Sequence, residues 1–422
     1  MTPLGAPAPP ETSAALSFVF VLLIPCAAAG LALINAGLGR LRNSAHAMLS
    51  ALCVIAVAAL AYFATGAAWQ GSAGQPAFAW HVAGHDWNWI GAGRFFLRGL
   101  DLEGWSALPA LFGLMGAALA AIIPLGSGAD RWRLGASCAS SVLLAGWTYP
   151  LFAHWAWGGG WLAQLGFVDS GGAGVIQVVG GLTALSITWI LGPRRGKFSS
   201  EGAPSALPGH NAVLVLLGCF LAWVGWLGLN AAGAILFTGV AASRAVLIAV
   251  NTTLGAGCAA LSVAAVTRAR FGKADASLCA NGWVAGLVAV SAGCAIVRPA
   301  AAVIIGLFAG GLIVYSVEWL EVHLGVDDPG GSVSVHAVAG LWGLLAAGLL
   351  AVTAVPWLAQ LVGIATLLGF ILPLTYGLNW LLNRLSPQRV AVEGERQGLD
   401  LYELGAGAYP DFMTHNEDFW QR

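Results

Sequence analysis

Long apolar stretches alternate with short polar segments along almost the whole chain. A helix needs about 20 mostly apolar residues to cross about 30 Å of hydrocarbon, because each residue adds about 1.5 Å. Eleven stretches meet this criterion: 14–36, 46–68, 105–126, 135–157, 173–193, 210–230, 239–266, 277–297, 299–322, 332–352 and 356–384. The pattern therefore predicts an all-α, polytopic membrane protein with eleven transmembrane helices.

Two of these stretches begin with nearly the same sequence. One copy reads DSGGAGVIQVVGGL (169–182) and the other DPGGSVSVHAVAGL (328–341), and they align without a gap. The copies precede the fifth and tenth helices, so they enter the membrane from opposite faces, as in an inverted repeat of five plus five helices. This divides the chain into a membrane domain, 1–384, with repeat halves 14–193 and 210–352 and an eleventh helix 356–384, and a tail, 385–422.

Each copy places a polar side chain near the membrane midplane. Asp169 and Asp328 are expected to cap their helices, and Gln177 and His336 follow eight residues later, about 12 Å along the axis. Inverted-repeat transporters bind substrate at this depth. An ionisable residue inside a membrane is functional by default, although His336 is also consistent with a core histidine bonded to a neighbouring helix. An interhelical hydrogen bond explains Gln177 equally well.

The composition agrees with lipid as the main solvent and excludes several function classes. Of 422 residues, 58% are hydrophobic and only 9% are charged, with a formal net charge of −1. No basic stretch is present, which argues against a nucleic-acid partner. The sequence shows no nucleophile with a neighbouring base, no paired midplane carboxylates and no metal-ligand cluster. We therefore expect no enzyme activity, no cofactor and no metal site.

Basic residues are distributed unequally between the two sets of loops. One set carries Arg40, Arg42, Arg131, Arg133, Arg194, Arg195, Lys197, Arg268, Arg270 and Lys273, whereas the other holds only Arg94, Arg98, Arg244 and Arg298. Basic loops remain in the cytoplasm. We therefore expect an outside N-terminus and a cytoplasmic C-terminal tail.

Five segments together resemble the Amt/Mep/Rh family of ammonium transporters. They are ALINAGLGRLRN (32–43), AHWAWGGGWLAQLGFVD (153–169), HNAVLVLLGCFLAWVGWLGLNAAGA (210–234), VDDPGGSVSVHAVAGLWG (326–343) and GLDLYELGAGAY (398–409). The resemblance implies a homotrimer in the inner (plasma) membrane, with one pore per subunit that conducts ammonium or ammonia. It also implies a PII-type regulatory partner on the tail, although the usual H-G-E there reads Leu404-Gly405-Ala406.

The resemblance also implies the residues of an outer vestibule. A tryptophan that attracts ammonium falls on Trp157, whose ring face can bind a cation. An assisting serine falls on Gly233, and two stacked gate phenylalanines fall on Gly116 and Leu229.

Because Gly116 and Leu229 supply no aromatic ring, the entrance should be either wider than in gated relatives or closed by another group. Phe112, one helical turn from Gly116, and the loop from Trp80 to Phe96 are the candidates for closing it.

Deeper in the family's pore, one histidine from each repeat half forms a pair that accepts or relays a proton. These positions are Gln177 and His336 here. Glutamine can donate and accept hydrogen bonds but cannot take up a proton near neutral pH. The favoured function is ammonium or ammonia conduction. The alternative is a diverged, poorly conducting member that acts as an ammonium sensor or scaffold, or that has been retuned for another small solute.

Overall fold

The computed structural model describes residues 10–72, 75–82, 84–93 and 95–409. The predictions for residues 1–9, for Arg94 and for the last part of the tail, 410–422, lie outside the described residues. Eleven long helices run through the described part: α1 (Glu11–Leu38), α2 (Leu41–Gln70), α3 (Trp105–Gly128), α4 (134–156), α5 (Ala173–Leu191), α6 (Ala212–Thr238), α7 (Ala242–Phe271), α8 (Ala276–Ser291), α9 (Pro299–Leu324), α10 (Val333–Leu350) and α11 (Trp357–Leu385).

The predicted polytopic helical architecture is confirmed. Nine of these helices are long and apolar enough to cross a membrane, and α4 and α8 complete the set within the described residues. The largest difference in bounds is at α6, which continues to Thr238, eight residues beyond the predicted end at residue 230. Helix α8 ends at Ser291 although its apolar sequence continues to residue 297. Residues 292–297 instead form buried turns that lead to Pro299, a residue suited to the first position of a helix.

The fold is not entirely helical. Strands β1 (Ala77–Val82) and β2 (His85–Gly91) form an antiparallel hairpin between α2 and α3. In β2 the aromatic side chains alternate with polar ones, which is the period of a strand and gives no signal for a helical span. The hairpin packs on the end of α4, where Trp89 lies 5.0 Å from the ring of Trp155. A short helix, Trp161–Gln164, follows.

Helices pack closely where small residues face each other. A Cβ atom added to Gly30 of α1 would collide with backbone atoms of Gly218 and Ala222 on α6. Gly225, farther along α6, is equally close to the backbone of Ala27. Small residues at such crossings let helix backbones approach in a membrane, where close packing is a main source of attraction between helices.

The repeated segments share an uncommon local geometry. Helix α5 begins with a π-helical turn over Ala173–Val178, and α10 begins with one over Val333–Val338. The first π-helical turn contains Gln177, and the second contains His336. Single π-turns of this kind occur frequently at functional sites.

A buried group of charges joins three loops at one end of the bundle. Arg194 donates two side-chain hydrogen bonds of 2.9 Å to Asp327 and a third, of 3.0 Å, to Asp130. Arg131 donates to the backbone oxygen of Asp327 at 2.8 Å. We call these four residues the charged cluster. It connects the loops that follow α3, α5 and α9.

The tail docks beside this cluster through two short helices, Val392–Gln397 and Leu399–Leu404. Asp400 accepts hydrogen bonds from the N–H groups of Ala45 and His46 near the start of α2, and Glu403 lies 2.8 Å from the ring of His46. Burial would raise the pKa of the Glu403 carboxyl, but hydrogen bonds from His46 and the N–H of Leu134 hold it below its usual value. The described part of the tail therefore has a fixed position on the bundle.

Candidate functional site

The site begins at two aspartates that lie just outside α5 and α10. Asp169 accepts hydrogen bonds of 2.7–2.9 Å from the N–H groups of the first three residues of α5. Asp328 accepts from the N–H groups of Ser332 and Val333 at 3.0 and 2.7 Å, and from the hydroxyl of Ser127. Both carboxylates satisfy N–H groups that a helix start leaves free. The expected capping is present, with each aspartate several residues before its helix.

Between these caps the repeat brings Gln177 and His336 into contact. The Nδ1 atom of His336 lies 2.7 Å from the Oε1 atom of Gln177, and both residues are almost completely buried. Because the carbonyl oxygen accepts, Nδ1 carries the hydrogen and Nε2 of the neutral ring is an acceptor. The Nε2 amide of Gln177 has no hydrogen-bond partner within the described chain. The pair thus has one unused donor and one unused acceptor.

Toward the ends of α4 and α6, three aromatic rings lie together. Phe237 stacks on Trp157 with ring centroids 4.4 Å apart and planes 5° apart. Phe112 packs at a steep angle to both rings, 5.7 Å from Trp157 and 5.1 Å from Phe237. The indole N–H of Trp157 donates to the backbone oxygen of Asp169 at 2.8 Å. We call Phe112, Trp157 and Phe237 the aromatic cluster.

The cluster changes what was expected of Trp157. The resemblance implied a ring face open to a cation, and here Phe237 covers one face at stacking distance. Only 8% of the surface of Trp157 is exposed to solvent. Of the two groups expected to replace the missing gate, Phe112 packs against Trp157, with ring centroids 5.7 Å apart.

The second candidate, the loop from Trp80 to Phe96, packs elsewhere. Its tryptophans contact rings at the end of α4 and beyond, with Trp89 against Trp155 and Trp87 against Trp161. His154 helps to hold the loop, because Nδ1 donates to the backbone oxygen of Gln70 at 2.7 Å and Nε2 lies 3.0 Å from Asn88. The hairpin therefore has a structural position at the end of α4.

The three substituted family positions have specific surroundings. A Cβ atom on Gly233 would collide with the backbone oxygen of Ser170 and lie 3.3 Å from the ring of Phe112, so a serine side chain has no room there. A Cβ atom on Gly116 would lie 2.7 Å from the Tyr149 hydroxyl oxygen. Leu229 is fully buried, one turn deeper than Gly233 on α6. Neighbouring atoms therefore leave little room for a side chain at Gly233 or Gly116.

Sequence reasoning missed Phe237 and Tyr149. Phe237 lies four residues after Gly233 and eight after Leu229, a spacing that places all three on one face of α6. That spacing was a usable signal. The Tyr149 hydroxyl is buried without a hydrogen-bond partner in the described chain, and only the packing places it beside Gly116. The described residues contain no group of three or more His, Cys, Asp or Glu side chains that could hold a metal ion.

Removing the cap at Asp169 should destabilise the site. Asp169→Ala leaves three N–H groups in the first turn of α5 without their acceptor, and we expect a loss of about 2–4 kcal/mol in unfolding free energy. The measurement is denaturant unfolding in detergent. Asp101→Ala is the control, because its carboxylate is exposed and, among the described residues, accepts only the N–H of Glu103. Equal stability of the two variants would contradict the capping role.

Comparisons with known proteins agree with this geometry. The model of the Ammonium Transporter Family matches residues 15–409. The chain is 36% identical to ammonium transporter Amt2 of Archaeoglobus fulgidus over 91% of this chain and 85% of that protein. It is 34% identical to the ammonium transporter of Bacillus subtilis over 72% of this chain and 76% of that protein.

Solved structures show the same fold. A structure described as a sensor Amt protein superposes with a TM-score of 0.85 at 28% identity, covering 93% of this chain and 98% of that one. The crystal structure of Candida albicans Mep2 gives a TM-score of 0.79 at 23% identity, covering 92% and 88% of the two chains.

Proposed function

The chain belongs to the ammonium transporter family, and we propose that it conducts ammonium or ammonia across a membrane, along a line from the aromatic cluster to the pair formed by Gln177 and His336. The observation that carries this proposal is the contact between the two side chains, 159 positions apart in sequence and equivalent in the repeat. A buried polar pair at the crossing of two helices is otherwise a costly arrangement in a membrane.

The hydrogen-bonding capacity of the pair favours a neutral passenger. With Nδ1 of His336 donating to Gln177, the unused atoms are an acceptor on the imidazole and a donor on the amide. If the amide is turned, the imidazole becomes the free donor and the amide oxygen the free acceptor, so one of each is left in both cases. Ammonia has N–H donors and one lone pair, whereas ammonium has donors only. Ammonia therefore matches the pair better.

The free energy of removing the passenger from water also favours ammonia over ammonium. Transferring a cation from water into an apolar passage costs far more than transferring a small neutral molecule that keeps its hydrogen bonds. Ammonium is attracted to aromatic rings, so the cation is the species that binds outside. We propose that ammonium, once bound at the aromatic cluster, gives its proton to water on the outer side, and that ammonia alone moves on to the pair.

The assembly and orientation follow the family resemblance in this proposal. We assign the protein to the inner (plasma) membrane as a homotrimer, with the N-terminus outside and the tail in the cytoplasm. The excess of arginine and lysine in the loops on the tail side supports the orientation. A PII-type regulatory partner on the tail is part of the same proposal and is tested by binding to the full chain with and without residues 399–409.

The test of conduction uses purified protein in liposomes. Rapid addition of ammonium chloride should raise the internal pH faster than in protein-free liposomes, because ammonia enters and takes up a proton inside. Addition of sodium chloride at the same ionic strength controls for osmotic and salt effects. Equal rates with and without protein would contradict the proposal.

A second function is favoured by the closed aromatic cluster and by the amide at position 177. A protein that binds ammonium at Trp157 without passing it on would act as a sensor or scaffold. Calorimetric binding of ammonium without any protein-dependent flux would select this alternative.

A further inference from the structure

Phe237 lies where the expected cation site on Trp157 should be open. We propose that Phe237 is the outer gate of this protein: its ring covers the indole face of Trp157 in the closed state and moves outward when an ammonium-sized cation binds there. This inference rests on the proposed function. It assigns to α6 a gating residue at a position where the family resemblance implied none.

The stacking distance is the main argument. A cation is attracted to an indole when it lies over the ring face within about 6 Å of the centroid. The ring of Phe237 occupies that space, because its centroid is 4.4 Å from that of Trp157 and the planes differ by only 5°. Phe112 packs against the edges of both rings. A cation can reach this face only after Phe237 has left it.

The three rings differ in their freedom to move. Trp157 is held by its hydrogen bond to Asp169, and Phe112 is fully buried. Phe237 is only half-buried and belongs to the last turn of α6, which ends at Thr238 and is followed by Gly239 with a φ of 65°. A half-buried ring at a helix end can rotate toward solvent without opening a cavity in the core. Phe237 is therefore the movable part of the cluster.

The position of Phe237 also explains how the entrance can close without the expected phenylalanine pair. Leu229 and Gly116 supply no aromatic ring, and Tyr149 fills the space beside Gly116. Phe237 is two turns beyond Leu229 on the same face of α6, about 12 Å farther along the axis. The gate is thus displaced outward, above Trp157.

This arrangement makes cation binding compete with ring stacking. Only the fraction of molecules with Phe237 displaced can bind, so the apparent affinity is lower than the intrinsic affinity. An aromatic pair contributes about 0.5–1.5 kcal/mol, which corresponds to about 2- to 12-fold in affinity. Phe237→Ala should therefore tighten ammonium binding about 2- to 12-fold. The gain should be larger for methylammonium, because the removed ring also leaves space.

The experiment compares four full-length proteins: wild type, Phe237→Ala, Phe237→Leu and Phe220→Ala. Phe220 is on the same helix but 62% exposed, so it controls for the loss of a phenylalanine from α6. Leucine keeps apolar volume without a flat ring, and protects the test if the alanine variant folds poorly. Binding of ammonium and methylammonium is measured by calorimetry in detergent, and flux is measured in liposomes.

The outcomes are separable. Tighter binding by both Phe237 variants, with Phe220→Ala like wild type, supports the gate. Unchanged binding by the Phe237 variants overturns it, and so does weaker binding, which would make Phe237 a wall of the cation site. Tighter binding by the Phe237 variants, without flux in wild type or in any variant, would support the gate and refute conduction.

Discussion

Alanine in place of His336 is expected to lower protein-dependent ammonium flux about 5- to 150-fold. The substitution removes the only imidazole of the central pair and with it the unused hydrogen-bonding atom that we assign to the passenger. Removing one partner and leaving a buried donor or acceptor unsatisfied costs about 1–3 kcal/mol, which gives this range of rates. The measurement is the rate of internal pH change in liposomes after ammonium chloride is added.

Two further variants make this result specific. His323→Ala removes an exposed histidine near the end of α9 and should leave flux unchanged. His336→Gln keeps a donor and an acceptor but cannot titrate, so it separates hydrogen bonding from proton uptake. Retention of more than half of the wild-type flux by His336→Ala would refute the role of the pair.

The complementary change, Gln177→His, should restore a titratable pair. Each imidazole would fix the tautomer of the other through a shared hydrogen bond, and the pair could then pass a proton. We expect a larger ammonium-evoked current than in wild type, and a stronger dependence of that current on pH. A current that is robust in wild type and unaffected by this substitution would mean that Gln177 serves packing alone.

The features of the fold that could be predicted are those that depend on the order of residues along the chain. Span length and hydropathy fix the helices, because the membrane requires every spanning backbone group to be paired within its own helix. The contact between Gln177 and His336 was also predictable, because an ungapped repeat places equivalent residues around one pseudo-symmetry axis. The capping by Asp169 and Asp328 followed from local spacing.

The unpredicted parts depend on packing between distant segments. Whether Phe237 reaches Trp157 depends on how α6 crosses α4, and hydropathy contains no such information. The Tyr149 hydroxyl fills space beside Gly116 for the same reason. The hairpin was missed because its alternating aromatics lie in a polar connection that a search for helical spans does not examine. A family resemblance shows which residues of the chain occupy the family's site positions. It does not show how neighbouring side chains pack where one of those positions carries a different residue.

The second large effect is expected in the charged cluster. Arg194→Met should lower the unfolding free energy by about 3–5 kcal/mol, because it leaves Asp327 and Asp130 buried without their shared guanidinium partner. Arg194→Lys keeps the charge but cannot reproduce the planar fork, and should be intermediate. Both variants are measured by denaturant unfolding in detergent near neutral pH.

The same cluster predicts a pH dependence with a definite sign. Burial would raise the pKa of the Asp327 carboxyl, but hydrogen bonds from Arg194 and the charge of Arg131 hold it below its ordinary value of 3.8. A carboxyl with a depressed folded pKa contributes stability that is fully present above the unfolded pKa and is lost as pH falls through the folded pKa. Wild type should therefore lose stability below about pH 4, and Asp327→Asn should lose less over that interval.

The exposed pair of Arg270 and Glu318 is the control for Arg194→Met, because Arg270→Met should leave stability unchanged near neutral pH. If Arg194→Met were as stable as Arg270→Met, the buried charges would not be what holds these loops together.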